Sequence, residues 1–386
     1  MFDERRRQEA LEEMGILDTP RDERVDRVAR LAKEMFGVPM VSVSLIDRER
    51  QWRKTEIGLG GDEAPRQDSF CDYTVRQDRT VVVEDAALTE LFADNPFVSG
   101  DPHLRFYAGH PLHAPGGEPI GTLCVLDTEP HTLTDAQLDL LRDLAFWVQS
   151  ELAKDAELDQ AAVIQSTLRP HTHPEVDGYT IAGGSVSRGI LAGDFYDLDL
   201  HDGALRITLA DAMGKGIGPA LVATSVRASL RTAPERGLTA SIAEIDRLLE
   251  QDLGDTAMFV TAVHAELTPE TGDLAIIDAG HSLAFILRAD GSWEHLRSTS
   301  LPLGMGMGLQ PPEVREPRFD RLEPGDAFVC CSDGLLDVLD PDDPYAHVYR
   351  VLTELGPDGA IREAMGLATA ETATDDITVV VVRRDA

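Results

Sequence analysis

The sequence predicts an α+β chain of two domains: an N-terminal domain on one antiparallel sheet with flanking helices, and a C-terminal domain of two sheets covered by helices. Three observations predict it. The 386 residues suggest two domains of ordinary size. Strand-like runs with turn residues between them fill the first part, and strands with helices interposed fill the second half. Between them lies one long segment whose apolar residues step by three and four. The boundaries are read as 1–152 for the first domain, 134–169 for the connecting helix, which overlaps it, and 170–386 for the second domain.

In the first domain, a helix is read with Thr19 as its cap, Pro20 in its first position and Gly37 at its end. Val25, Val28, Ala29, Ala32, Met35 and Phe36 give it an apolar face. Strands are read at Met40–Asp47, Gln51–Ile57, Arg79–Glu84, Phe106–His113 and Ile120–Leu126. Val41, Val43 and Leu45 alternate with polar neighbours, the pattern of a half-buried strand. Gly60-Gly61 and Pro115-Gly116-Gly117 supply turns.

The connecting helix opens on Thr134-Asp135-Ala136-Gln137, a capping-box signature. Leu138, Leu141, Ala145, Val148 and Leu152 then form a seam, which breaks where Asp155 and Asp159 take the next positions. Two readings stay open: a helix packed on its own domain, and a signalling helix that pairs two copies into a homodimer. Pro170 and Pro174 end it. In the second domain, strands are read at Tyr179–Ser187, Phe195–Leu200, Leu205–Ala210, Met258–Leu267, Leu274–Asp278, Leu283–Arg288, Trp293–Leu296, Ala327–Ser332 and Ile377–Arg383. Helices are read at Pro219–Thr232, Thr239–Asp252, Asp358–Thr369 and, more weakly, near Tyr345–Glu354. Asp290-Gly291 marks a hairpin turn.

Composition narrows the function classes. Lys plus Arg number 35 and Asp plus Glu 69, a net charge of −34. So acidic a surface repels nucleic acid and anionic membrane, both polyanions. The N-terminal MFDERRRQEALEEMG carries charge where a signal peptide needs an apolar run. No apolar stretch approaches the roughly 20 residues needed to span a bilayer. The expectation is a cytoplasmic protein. Cys71, Cys124, Cys330 and Cys331 form no C-x-x-C pair, so neither a zinc site nor a redox motif is read from them. Cys330 and Cys331 lie in an apolar run and read as core.

The second domain places aspartates at strand edges in four segments: Gly193-Asp194-Phe195-Tyr196-Asp197, Ala210-Asp211-Ala212-Met213-Gly214-Lys215-Gly216, Ser332-Asp333-Gly334 and Asp375-Asp376-Ile377-Thr378. Adjoining glycines let the backbone turn sharply and approach a ligand. Bare carboxylates gathered together would cost several kcal/mol each to bury. Two divalent cations would neutralise four of them, and an oxygen-only donor set selects Mg2+ or Mn2+ over zinc. Such a pair of ions can activate water for attack on phosphorus. A single Asp-Gly is ordinarily just a turn; four such segments in one domain are not so easily dismissed.

These segments, with Ala279-Gly280-His281 and Ser332-Asp333-Gly334-Leu335, resemble the bacterial PPM-type serine/threonine phosphatases of the SpoIIE-like branch, from about Ala162 to Arg384 and in the same order. The resemblance implies an α-β-β-α sandwich and metal ligation by Asp194, Asp211, Asp333 and one of Asp375 or Asp376. Asp375 is favoured because it aligns with the first residue of the family's last motif. The backbone carbonyl of Ala212 would complete one ion's shell. It also implies a phosphoserine or phosphothreonine protein as substrate, of the anti-sigma-factor-antagonist kind. Ala192 stands where the family usually has a glycine, and Ser282-Leu283 follow His281 where it often has a proline. His281 is read as a structural turn residue. Lys215 is read as a solvated loop lysine, with contact to substrate phosphate as the alternative.

Met14-Gly15-Ile16-Leu17-Asp18-Thr19, Ser69-Phe70-Cys71, Arg105-Phe106-Tyr107-Ala108-Gly109 and Ile120-Gly121-Thr122-Leu123-Cys124-Val125 resemble a GAF sensor domain, from about Arg5 to Leu152. The resemblance implies a small-molecule or redox signal without naming it. Cys71 is read as a buried thiol, with a reactive or ligand-contacting role as the alternative. The leading expectation is therefore a sensor-regulated, metal-dependent protein phosphatase. Its rivals are a partner-binding regulator without turnover and, from the faint likeness of Ala192-Gly193-Asp194-Phe195 to a cyclase signature, a nucleotide cyclase.

Overall fold

The computed structural model describes residues 3–232, 237–254, 256–306, 314–339, 344–368 and 374–386. The chain divides into two compact units, one up to Gln160 and one from Ala161.

The N-terminal unit runs α1 (Glu4–Met14), α2 (Glu23–Phe36), β1 (Met40–Ile46), β2 (Arg50–Ile57), β3 (Glu63–Pro65), α3 (Phe70–Gln77), β4 (Val81–Val83), α4 (Pro96–Ser99), β5 (Phe106–His113) and β6 (Pro119–Asp127), then enters α5 (Asp135–Leu168). Its strands form one antiparallel sheet in the order β3-β2-β1-β6-β5-β4. On one face, Leu11 and Met14 of α1, Val25, Val28, Ala29 and Ala32 of α2, and Leu141, Ala145, Val148 and Leu152 of α5 pack over Val41, Val43 and Leu45. On the other, Phe70, Cys71 and Val75 of α3 pack with Tyr107 and Cys124.

Three readings need correction. The cap of α2 is Asp22, whose carboxylate accepts the Arg24 N–H at 2.8 Å; the Thr19 hydroxyl instead donates to the Ile16 carbonyl at 2.8 Å. Met35 is half exposed, off the buried face. Strand β1 is buried along its whole length, not on one face only. The reason is α3, which covers the second face, so Ser42 and Ser44 satisfy each other at 2.7 Å and Gln51 Nε2 donates to Ser44 at 2.8 Å.

Helix α5 begins as its sequence predicts. The Gln137 N–H donates to Thr134 Oγ1 (3.3 Å), and the Thr134 N–H donates back to Gln137 Oε1 (3.0 Å). Leu141, Ala145, Val148 and Leu152 are all buried in the unit's own core. That stretch of the seam is therefore spent on its own domain rather than offered to a second copy. Thr134→Ala is expected to lower the first unfolding transition of the chain by about 1 kcal/mol, measured by chemical denaturation.

The C-terminal unit runs β7 (Tyr179–Val186), β8 (Asp194–His201), β9 (Ala204–Ala212), α6 (Ile217–Thr232), α7 (Gly237–Leu253), β10 (Val260–Thr268), β11 (Asp273–Ala279), β12 (Ala284–Leu287), β13 (Trp293–Leu296), β14 (Arg318–Arg321), β15 (Ala327–Cys331), α8 (Asp333–Val338), α9 (Pro344–Ala368) and β16 (Ile377–Arg384). Among the described residues these strands form two five-stranded antiparallel sheets, β14-β11-β10-β9-β8 and β13-β12-β15-β16-β7. Successive residues alternate between layers, as strand geometry requires. Tyr196, Leu198, Leu209, Cys330 and Val380 fill the space between the sheets. Phe195 and Ala210 face α6 and α7, while Cys331, Val329 and Val381 face α8 and α9. The result is the α-β-β-α sandwich. The two helices read near 345–369 form one span kinked at Gly356, where φ is 68° ahead of Pro357; Thr369, the predicted end, lies outside the described residues. Elements α1, α3, α4, α8, β3 and β14 were not anticipated from the sequence.

Candidate metal centre

Each aspartate segment ends a strand at the same region of the sandwich. Asp194 opens β8 directly opposite Asp211 of β9. Asp333 opens α8 after β15, and Asp375 and Asp376 precede β16, the neighbour of β15. Glycines permit the approach. A Cβ on Gly334 would lie 2.1 Å from the Asp376 carbonyl oxygen, and one on Gly193 would lie 2.9 Å from the Ala212 carbonyl oxygen. The Ser332 hydroxyl accepts the Thr378 N–H at 2.9 Å and donates to the Asp376 carbonyl at 3.2 Å, tying β15 to β16.

The electrostatics are those of desolvated carboxylates that repel one another. Asp194 is buried, and its Oδ2 has no hydrogen-bond partner. Burial, then the neighbouring Asp211, pushes its carboxyl well above the usual range. Burial, then Asp333, pushes Asp211 up to about 6. Burial, then Asp375, raises Asp333. Among the described residues, no three His, Cys, Asp or Glu side chains are arranged to hold a single ion together. The carboxylates neighbour one another in series, Asp194 with Asp211, Asp211 with Asp333 and Asp333 with Asp375. Such a series suits Mg2+ or Mn2+, which take one or two carboxylates and keep much of their water. An oxygen-only donor set with a buried, unpartnered acceptor thus fits hard divalent cations.

Asp375 and Asp376 are used differently. Asp376 Oδ1 accepts the Arg188 N–H (2.8 Å) and the Ser187 hydroxyl (3.3 Å), and its Oδ2 accepts the Gly193 N–H (2.9 Å). Both oxygens therefore clamp the loop that leads into Asp194. Asp375 Oδ2 lies 3.0 Å from Lys215 Nζ, which also donates to the Thr374 carbonyl at 2.6 Å. Lys215 is thus paired with an aspartate rather than simply solvated. Asp376→Asn removes one acceptor of the clamp and is expected to raise the Mn2+ concentration for half-maximal phosphate release about 10-fold.

His281 has both ring nitrogens engaged, Nδ1 with the Thr261 hydroxyl at 2.8 Å and Nε2 with the Cys331 carbonyl at 2.9 Å. Only a donor can satisfy the carbonyl, so Nε2 carries the proton. Burial lowers its pKa, keeping the ring neutral. Its role is structural.

One residue escaped the sequence reading. Gln165, near the end of α5, donates from Nε2 to the Ala192 carbonyl (2.8 Å) and accepts the Ala192 N–H at Oε1 (2.9 Å). The loop before Asp194 is therefore gripped twice, at Ala192 by Gln165 and at Gly193 by Asp376. Nothing in the pattern marks a lone glutamine on a helix as a partner for distant backbone.

Residues 20–152 match the model of the GAF domain, and residues 201–385 match that of Stage II sporulation protein E. The second match takes in Asp211, Ala212, Asp333, Asp375 and Asp376 and begins after Asp194. Over 151 residues, 39% of this chain, the sequence is 37% identical to a cyclic di-GMP phosphodiesterase of Pseudomonas aeruginosa, spanning 26% of that protein. Over 194 residues, 49% of this chain, it is 28% identical to the phosphoserine phosphatase RsbU of Bacillus subtilis, spanning 56% of that protein. The chain thus spans about a quarter to about half the length of these relatives. The SiaA-PP2C domain of Pseudomonas aeruginosa shares the fold, with a TM-score of 0.50 at 20% identity over 61% of this chain and 99% of that domain. The chain is a GAF domain joined to a SpoIIE-like PPM-type phosphatase domain.

Proposed function

We propose that the chain is a metal-dependent protein serine/threonine phosphatase governed by its GAF domain. The observation that supports this most is the desolvated pair Asp194 and Asp211, with an unpartnered Asp194 oxygen, beside Asp333 and Asp375. Asp194, Asp211, Asp333 and Asp375 would hold two Mn2+ or Mg2+ ions, with the Ala212 carbonyl as a further ligand. Those ions, when bound, supply a water of lowered pKa and stabilise charge developing at phosphorus. Asp376 keeps the loop before Asp194 in place and stays outside the ligand set.

The substrate is a phosphoserine or phosphothreonine protein, in kind an anti-sigma-factor antagonist; the likeness to a phosphoserine phosphatase favours this class. We assign the domains as 1–152 and 170–386 with a connecting helix over 134–169. A signal at the GAF domain reaches the site through that helix, whose Gln165 grips Ala192. A homodimer contact falls to the exposed apolar residues of the helix, Phe146 and Trp147 before Leu152 and Val163 and Ile164 beyond it, since Leu141, Ala145, Val148 and Leu152 are buried. Among the described residues no helix is long and apolar enough to cross a membrane.

The test is phosphate release from a phosphoserine peptide and an aryl phosphate, with and without Mn2+. Release that requires metal supports the proposal. No release from either substrate at saturating Mn2+ overturns it in favour of a partner-binding regulator.

A further inference from the structure

The N-terminal unit holds two of the chain's cysteines in direct contact. Cys71 sits in the first turn of α3 and Cys124 within β6, and their sulfurs are 3.6 Å apart. Both are buried. The contact lies in a polar seam within an apolar core. The Tyr107 hydroxyl is 3.8 Å from Cys71 Sγ and 2.7 Å from the Thr74 hydroxyl, and Cys124 Sγ is 3.5 Å from the Ser42 carbonyl. Cys330 and Cys331 offer the contrast. As neighbours on one strand they point to opposite faces, one between the sheets and the other toward the helices, and cannot pair with each other.

We infer that Cys71 and Cys124 are a modification site, a dithiol that a hydroperoxide closes to an intramolecular disulfide. The Cys71 sulfur attacks the peroxide; its S–O bond forms, the O–O bond breaks, and the leaving alkoxide or hydroxide takes up the proton of the Cys71 thiol, giving alcohol or water. The Cys124 sulfur then attacks the oxidised Cys71 sulfur. The S–S bond forms, the S–O bond breaks, and hydroxide leaves as water with the second thiol's proton. Two thiols and one peroxide give one disulfide, one alcohol or water, and one further water. A disulfide measures about 2.05 Å, so the sulfurs close by roughly 1.5 Å. Rotation about the two side chains and a small shift of the first turn of α3 can supply this. The hydrogen bond from Cys124 draws the Cys71 thiol down to about 7, which suits Cys71 to the first attack.

The test uses the reduced full-length chain, exposed to hydrogen peroxide, alkylated and digested. Of four cysteines, two are expected to lose their thiols, with a Cys71–Cys124 cross-linked peptide by mass spectrometry and Cys330 and Cys331 still alkylated. Reductant restores all of them. In Cys124→Ser, Cys71 is expected to accumulate as a sulfenic acid that a dimedone probe labels. An unchanged thiol count in the wild-type chain, over-oxidation of Cys71 without a cross-link, or a cross-link to Cys330 or Cys331 overturns the inference.

Discussion

Asp211→Asn is expected to abolish metal-dependent phosphate release and, in the absence of metal, to make the C-terminal unit more stable. The two effects have opposite signs because the carboxylate serves the reaction at the expense of the fold. Its removal takes away a proposed ion ligand, so the rate at saturating Mn2+ should fall at least about 100-fold, the upper end of what loss of an outer-shell partner costs. Without metal, Asp211 is a half-buried anion facing Asp194, with its pKa raised to about 6. A carboxyl whose folded pKa lies above its unfolded value penalises the folded state at neutral pH. The penalty fades as pH falls through about 6 toward the ordinary value of 3.8. Asparagine removes it at every pH, a gain on the order of 1–3 kcal/mol in chelator at pH 7. Asp333→Asn should lose activity likewise with a smaller gain, because Asp333 is less buried than Asp211. Thermal unfolding in chelator and Mn2+-dependent release are the two measurements. Retained activity removes Asp211 from the metal centre. Lost activity with a lower metal-free melting temperature makes its role merely structural.

Much of this arrangement is visible in the sequence because it rests on local chemistry. Asp194, Asp211, Asp333, Asp375 and Asp376 stand beside turn-forming or strand-ending residues, and the structure brings all of those strand ends to one region. Strands such as Met40–Ile46 and Ile377–Arg384 follow from apolar and β-branched residues that few other structures accommodate. What was hidden depends on contacts made at a distance. Nothing local says that α3 buries the polar face of β1, so Ser42 and Ser44 read as solvent-facing. Helix α1 is so highly charged that Leu11 and Met14, which anchor it, are swamped. β14 is an exposed edge strand of charged residues, with no alternation to mark it. Asp375 and Asp376 are identical neighbours; only the backbone direction at the strand entrance turns one toward Lys215 and the other into the loop.

Gln165→Ala is expected to weaken the enzyme without unfolding it. The side-chain amide of Gln165 donates to and accepts from Ala192 as a neighbouring strand would, which fixes the loop two residues before Asp194. Part-buried hydrogen bonds of this kind contribute only about 1 kcal/mol each to stability, so the melting temperature should move little. The effect on the site is larger, because a shift of 1 Å in a proposed ligand can cost about 100-fold in rate. We therefore expect a loss of about 10–100-fold at limiting Mn2+, partly recovered at excess Mn2+. Gln165→Glu keeps the acceptor for the Ala192 N–H and replaces the donor with a second acceptor facing the Ala192 carbonyl. Its expected loss is therefore no smaller than that of alanine, whereas a role limited to helix packing predicts that glutamate is tolerated. An unchanged Mn2+ dependence in both variants would place control of the loop with Asp376 alone. The same measurement bears on signalling. Gln165 lies on the helix that leaves the sensor domain, so a loop position dependent on that one side chain gives the helix leverage over Asp194 that no contact with the ions themselves would require.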